Sequence, residues 1–360
     1  MNRLTAIGLA SLVAYGLLIA SKYTGVVSAA RDERAPIVAL SAPESNGNSG
    51  VHPANSEPRQ STLVSLPAPV PRAQVSRITG IALEFRSSRD LKAFADGLAA
   101  RAASLSGDER YHLAKALEEC LFATTVNEDL AAHSAKQKRQ FLSGLPAGDP
   151  INDKRIAAYE AVDNTQRCLG FQSAKVSQKD IDSLYRAAAQ QGDPRAQARI
   201  VTAELSKNVG KSVEGTQNTR GATDELSLLI GLLESRDPEA MMYVGQFLAQ
   251  NAVSQNLRVG PNGEIPEPSA FLGAFSLVAC DVGQDCSNSS QHRDLLQACA
   301  YGGYCNAQSY EDLYQNFLAS PWAYAQAMRY RGMIHTAIDQ RNWGLIGLTP
   351  KIANSQPVPQ

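Results

Sequence analysis

Two short stretches set the terms on which this chain can fold. In "QQGDPRAQARIV" Asp193 stands directly before Pro194, and forty-four residues later "LESRDPEAMMYVG" places Asp237 before Pro238. Aspartate at a helix N-cap accepts a backbone N–H, and a proline just after it has no N–H to leave unpaired, so each pair starts a helix. Ala196 and Ala240 lie two residues beyond each proline, where a small side chain lets neighbouring helices approach closely. A start signal that returns at a fixed offset marks a recurring helical unit. The composition agrees: aromatics are only 6% of the chain, and the middle is rich in Ala, Leu and Gln, which favour helix over strand. The expected class is all-α.

Elsewhere the apolar residues recur at spacings of three and four. "SRDLKAFADGLAARAASL" puts Leu91, Phe94, Ala95, Leu98 and Ala102 on one stripe. In "GDERYHLAKALEECLFAT", Asp108 reads as the N-cap and Leu113, Ala116, Leu117, Cys120 and Leu121 as the inner face. Residues 152–170, 178–191 and 194–206 continue the pattern, and their short connections imply antiparallel neighbours. Near the C-terminus "PSAFLGAFSLVAC" precedes a helix capped by Ser320 and started by Pro321, with Trp322, Ala325, Met328, Met333 and Ile338 on its expected apolar face.

The residues around the two Asp-Pro pairs resemble the Sel1-like branch of tetratricopeptide-type helical repeats, in which a helix ends in Ala-x-x-Gly-Asp and is followed by Ala and then Leu-Gly. Ala188, Ala189, Gly192, Asp193, Ala196 and Ile200 match the first part, and Asp237, Ala240, Val244 and Gly245 the second. Gly231 and Leu232 depart from the small-residue helix end, and the glycine-rich connection is missing after Ile200. The resemblance covers residues 180–250, with a faint further copy in "SGDERYHLA" at 106–114. It implies a right-handed, α-solenoid-like stack of helical hairpins whose concave face binds protein or peptide. Arg195, Arg199, Tyr243 and Gln246 are the residues expected on that face.

Ahead of this body, Arg3 precedes an uncharged apolar run from Leu4 to Ala20 closed by Lys22. Seventeen residues at about 1.5 Å each span roughly 25 Å, the short end of a membrane-crossing helix. "VVSAA" at 26–30 offers small residues for cleavage, so residues 1–30 are either a removed signal peptide or an anchor that spans the membrane through 4–20. Residues 31–76 carry seven prolines among Ser, Asn and Gly, too little apolar surface to offset ordering, and read as a disordered linker. The helical repeat body is expected over 77–260, a disulfide-stapled helical region over 261–348, and a disordered tail over 349–360.

Six cysteines behind an export signal point to disulfides. "CDVGQDC" (Cys280, Cys286) and "CAYGGYC" (Cys299, Cys305) each either close on themselves or are linked to each other, and Cys120 then pairs with Cys168 by elimination. Structural zinc sites have closer cysteine pairs, so no metal is expected. Together these features place the body outside the cytoplasm, in a periplasm.

The formal net charge of -1, without a basic run in the body, lacks the footprint of a nucleic-acid-binding protein. No cofactor motif is complete: "NVGKS" has Leu205 where a phosphate loop needs its first glycine, and no His-Glu-x-x-His or Gly-x-Ser-x-Gly occurs. No catalytic residue is assigned. The reading is an exported helical-repeat protein that serves as an interaction scaffold or adaptor for another envelope protein or peptide. The alternatives are an all-α envelope enzyme acting on peptidoglycan, whose carboxylate would come from Glu118, Glu119, Glu204, Glu234 or Glu239, and a structural component of an envelope assembly.

Overall fold

The computed structural model describes residues 79–126, 128–209, 219–287 and 293–349. The expectations for residues 1–30, the linker 31–76 and nearly all of the tail lie outside the described residues. Among the described residues there is no strand, only the isolated bridges Val259–Glu264 and Ser287–Ser309, and no helix is long and apolar enough to cross a membrane.

Oxygen-bearing side chains start the long helices. Asp90 accepts from the N–H groups of Lys92 and Ala93 to open α2 (Leu91–Ala99), after the short α1 (Gly80–Ser87). Ser106 and Glu109 form a capping box at α3 (Gly107–Glu119), and Ser177 and Asp180 form one at α7 (Gln178–Gln190). Between them lie α4 (Leu130–Ser143), α5 (Asn152–Val162) and the single turn α6 (Thr165–Cys168). Asp193 bonds the N–H groups of Arg195 and Ala196 at α8 (Pro194–Val209), and Asp237 those of Glu239 and Ala240 at α10 (Pro238–Asn251), with α9 (Thr219–Glu234) between. Glu267 caps α11 (Pro268–Asp281); α12 (Arg293–Gly302) and the turn α13 (Tyr310–Leu313) follow, and Ser320 caps α14 (Pro321–Gln340). Each such bond satisfies helix donors that would otherwise be orphaned.

Three local expectations need correction. Ser106, not Asp108, is the N-cap of α3, because only Ser106 precedes the first helical N–H groups; Asp108 lies inside the first turn and turns its carboxylate to His112 and Arg195. The first stripe stops at Leu98: α2 ends at Ala99, and Ala102 is exposed in a 3-10 turn. In α14 the buried face is Ala327, Tyr330, Ile334, Ala337 and Ile338, while Trp322 is 60% exposed and Ala325 and Met328 also face outward. Alanines and methionines on several sides of this helix allow more than one phase of the 3.6-residue period, and packing on α11 selects the phase.

The helices follow one another in a row of contacts. α3 lies on α2 and α7, α7 on α8, α8 on α9 and α10, α10 on α9 and α11, and α11 on α14. Small residues set the closest approaches: a Cβ on Gly245 would stand 2.3 Å from the Phe275 ring, which fixes how near α10 comes to α11. One apolar cluster runs from Ala198 to Leu348 without a break at residue 260.

Two excursions leave the row, α4–α6 and the described residues 282–287 and 293–320, and α5 packs against α12. Cys120–Cys168 ties the first to the end of α3, Cys280–Cys286 ties the second to the end of α11 and Cys299–Cys305 closes locally within it, so all six cysteines are paired. The circuit from α3 along the row to α11, through α12 to α5, and back by the first disulfide is closed.

Candidate functional site

Closing that circuit leaves a cavity of about 1370 Å³, walled on one side by α3, α8 and α10 and on the other by the excursions that meet across it. We call those joined excursions the arch. Its joint is made where Phe141 stacks on Tyr159 at 4.2 Å, with Tyr301 edge-on to Phe141 at 5.9 Å. The Arg155 guanidinium donates to the Ala300 carbonyl at 3.0 Å, and Lys154 to Asn306 at 3.1 Å.

The floor is a ladder of ion pairs laid over tyrosine rings. Arg195 bridges Asp108 (2.6 Å) and Asp193 (2.5 Å) and lies over the Tyr111 ring at 4.3 Å. One turn on, Arg199 pairs with Glu118, touches the Tyr243 hydroxyl at 3.4 Å and lies over Tyr185 at 4.3 Å. Lys115 reaches Glu239 at 2.6 Å, and Glu239 also accepts from the Tyr111 hydroxyl at 2.5 Å. Burial resists charge on Glu239, but Lys115 and the Tyr111 hydrogen bond outweigh it and hold its carboxyl at about 2. Burial likewise opposes charge on Asp108, and the bonds from His112 and Arg195 drive it well below the carboxylate range. The helices of the row are therefore joined by charge as well as by apolar packing.

On the arch side, Glu119 accepts from Asn164 at 3.0 Å and stands 3.6 Å from Arg167 and 3.9 Å from Arg293. Arg167 spends its other donors on the carbonyls of Phe85 and Ser88, which holds α1 at the cavity edge. The Nε of Arg293 is buried and has no hydrogen-bond partner.

Of the residues expected on a binding face, Arg195 and Arg199 line the cavity, but their charges are engaged in the ladder. Tyr243 is buried beneath Arg199, and Gln246 is half-buried and does not line the cavity. Gly192 takes φ 86° at the end of α7, and Arg236 takes the matching left-handed turn before Asp237 at φ 52°. Ala196 and Ala240 are fully buried. Glu118, Glu119 and Glu239 line the cavity, each beside cationic or hydroxyl partners, so none of the three is an isolated carboxyl. Glu204 and Glu234 lie elsewhere. Among the described residues no group of His, Cys, Asp and Glu could hold a metal ion.

Sequence reasoning missed Arg167 and Arg293, because the arch depends on contacts between segments more than a hundred residues apart. The only local signal was a cysteine at each base of the excursions. No family model matches the chain, and neither does any curated protein or solved structure.

Proposed function

We propose that this is an exported, periplasmic interaction scaffold, an α-solenoid-like row of helical hairpins of Sel1-like type whose cavity holds an extended polypeptide segment of an envelope partner. The cavity carries this reading. At about 1370 Å³ it exceeds the 300–1,000 Å³ typical of small-molecule sites. A floor of satisfied ion pairs offers no excess positive charge to a nucleic acid. Its lining mixes both charge signs with apolar side chains such as Phe122, Met242 and Leu296, which suits a peptide of mixed composition.

The oxidising compartment is supported by three disulfides, and the periplasm by the apolar segment 4–20, which either tethers the body or is cleaved from it. The Sel1-like assignment is supported by the matching turns at Gly192–Asp193 and Arg236–Asp237 and by the row of contacts from α3 to α14.

A photo-crosslinking amino acid placed in living cells at Gln137 or Gln166, exposed residues of the cavity wall, should trap a discrete polypeptide, whereas the same group at Leu228, exposed and away from the cavity, should not. Equal yields from all three positions, or none, would refute the scaffold reading. A non-reducing mass map of the recovered protein reads compartment and cleavage in the same preparation.

A further inference from the structure

We propose that the first polypeptide this cavity holds is the chain's own: residues 61–78, the segment that leads into α1, occupy it when no partner is bound and compete with the partner for it. This rests on the reading of the cavity as a polypeptide site. The first support is where α1 stands. Thr79, Ala82 and Phe85 line the cavity, and Arg167 fixes α1 there through the carbonyls of Phe85 and Ser88. The residues before Thr79 are therefore delivered to the cavity edge. Arg72 stands seven residues before Thr79, a reach of up to about 23 Å. A segment attached so closely has an effective concentration of order millimolar, which a free peptide must overcome.

The second support is charge. From Pro58 to Leu83 the chain carries Arg59, Arg72 and Arg77 and no acidic residue. The cavity lining has nine Asp and Glu side chains against seven Arg and Lys, and two of the seven, Arg86 and Arg89, belong to α1 itself. The carboxylates of the ladder are engaged, so a further cation finds its partner on the arch wall. Asn164, Arg167 and Arg293 all approach the Oε2 of Glu119, which leaves Oε1 for a new donor. Asp163 accepts from the Ser134 hydroxyl at 2.9 Å and the Thr165 N–H at 2.8 Å, both uncharged, and Asp294 is exposed beside it in the lining.

The third support is an aromatic platform next to those carboxylates. "SLPAPVPR" sets Pro67, Pro69 and Pro71 just ahead of Arg72. Proline-rich segments dock on aromatic-lined surfaces and lose little entropy in doing so. Tyr301 is 47% exposed on the cavity wall and is held edge-on by Phe141 at 5.9 Å and Tyr159 at 6.1 Å, so its ring is fixed in place. Burial and the charge of Asp163 raise the Tyr301 hydroxyl above its ordinary value, which puts ring and carboxylate on one stretch of wall. Prolines followed by arginines match that order of surfaces.

The test uses the full, oxidised chain with a photo-crosslinking amino acid at Gln166, purified and irradiated as an equal mixture of heavy-isotope and ordinary protein, then digested and mapped by mass spectrometry. Fragments carrying residues 61–77 should be linked to position 166 at about tenfold the yield seen from Leu228, and both halves of each link should carry the same isotope label. Arg72→Glu with Arg77→Glu should lower that yield about tenfold and leave the melting temperature unchanged, since both residues precede α1. In living cells the same variant should raise the amount of partner trapped at Gln166.

No link to 61–77 above the Leu228 level refutes this occupant, and leaves the scaffold reading standing if a partner is still trapped in cells. Links of mixed isotope label refute occupancy by the chain's own segment in favour of a second copy's. A yield that survives the double charge reversal refutes the role of Arg72 and Arg77. Loss of the internal link with no gain in trapped partner refutes competition for the cavity.

Discussion

From Ala198 to Leu348 a single apolar cluster passes through α8, α9, α10, α11 and α14, with Phe271, Phe275, Leu277 and Val278 fully buried inside it. Outside it the buried apolar residues are divided among separate small clusters: one around Leu91, Phe94 and Phe171, another around Tyr111, Ile181 and Tyr185, and two in the arch, at the α5–α12 joint and around Leu295, Ala307 and Leu313. The N-terminal half compensates with a different kind of bond. Cys120–Cys168 passes through the first cluster, and the ladder of Asp108, Lys115, Glu118, Arg195, Arg199 and Glu239 spans the boundary to the large one. Where apolar surface is plentiful, packing dominates between neighbouring helices, supplemented by ion pairs such as Asp281 with Arg331 and His335, and where it is divided, the covalent and charged contacts carry more of the joining. The cavity lies on the divided side, where polar groups can face an occupant without interrupting a core.

The contrast is open to a graded set of tests. The largest effect is expected from Cys120→Ala with Cys168→Ala, since a loop of separation 48 closed by that bond is worth about 4 kcal/mol in the chain-entropy model. Cys280→Ala with Cys286→Ala, separation 6, should cost only about 2 kcal/mol by the same relation. Denaturant melts that rank the two pairs the other way round would show that the N-terminal half does not depend on its covalent tie.

On the packed side, Gly245→Ala forces a Cβ into the Phe275 ring and should cost about 3 kcal/mol through overpacking. A loss below about 1 kcal/mol would mean that α10 and α11 can part freely, so the large cluster is not close-packed.

The ladder is probed by Glu239→Gln, which strands Lys115 and should cost about 2 kcal/mol at neutral pH; the pair's partial exposure, 24% and 25%, keeps it below a fully buried value. The sign with pH follows from a carboxyl held below its ordinary 4.5. Its stabilisation is complete above about pH 4.5 and is lost as pH falls toward 2. The gap in melting temperature between parent and Glu239→Gln should therefore be full at pH 7 and shrink steadily below pH 4.5. A gap that does not change with acid would mean that the ladder is not held by ionised Glu239.

The smallest effect is a gain. Arg236→Gly relieves a non-glycine residue at φ 52° and should stabilise by about 0.5 to 1 kcal/mol, the exposed pair with Asp339 offsetting little. A lower melting temperature would show that the Asp339 contact outweighs the turn.

Much of this architecture is written locally. Asp193-Pro194 and Asp237-Pro238 start α8 and α10 where they stand, because capping and proline geometry involve only residues within one turn. The two Cys-x5-Cys segments close on themselves for the same reason of short range. Legibility fails where one period admits several phases, as in α14, and where a polar side chain has a choice of partners, as with Asp108. It fails most fully at the cavity. Arg195 and Arg199 read as free basic residues on a helix face, and only their distance to Asp108 and Glu118, some eighty residues earlier, shows them engaged in holding the row together.

The sequence by itself determined where helices begin, which small residues permit close approach and which cysteines lie near enough to close locally, since each depends on bonds within a few residues. Tertiary structure alone decided that the α4–α6 excursion folds back to meet α12, that a cavity lies between arch and row, and that Arg293 is left with an unpaired buried donor. Those outcomes depend on contacts between distant segments, whose free energy comes from surfaces that exist only once both helices have formed.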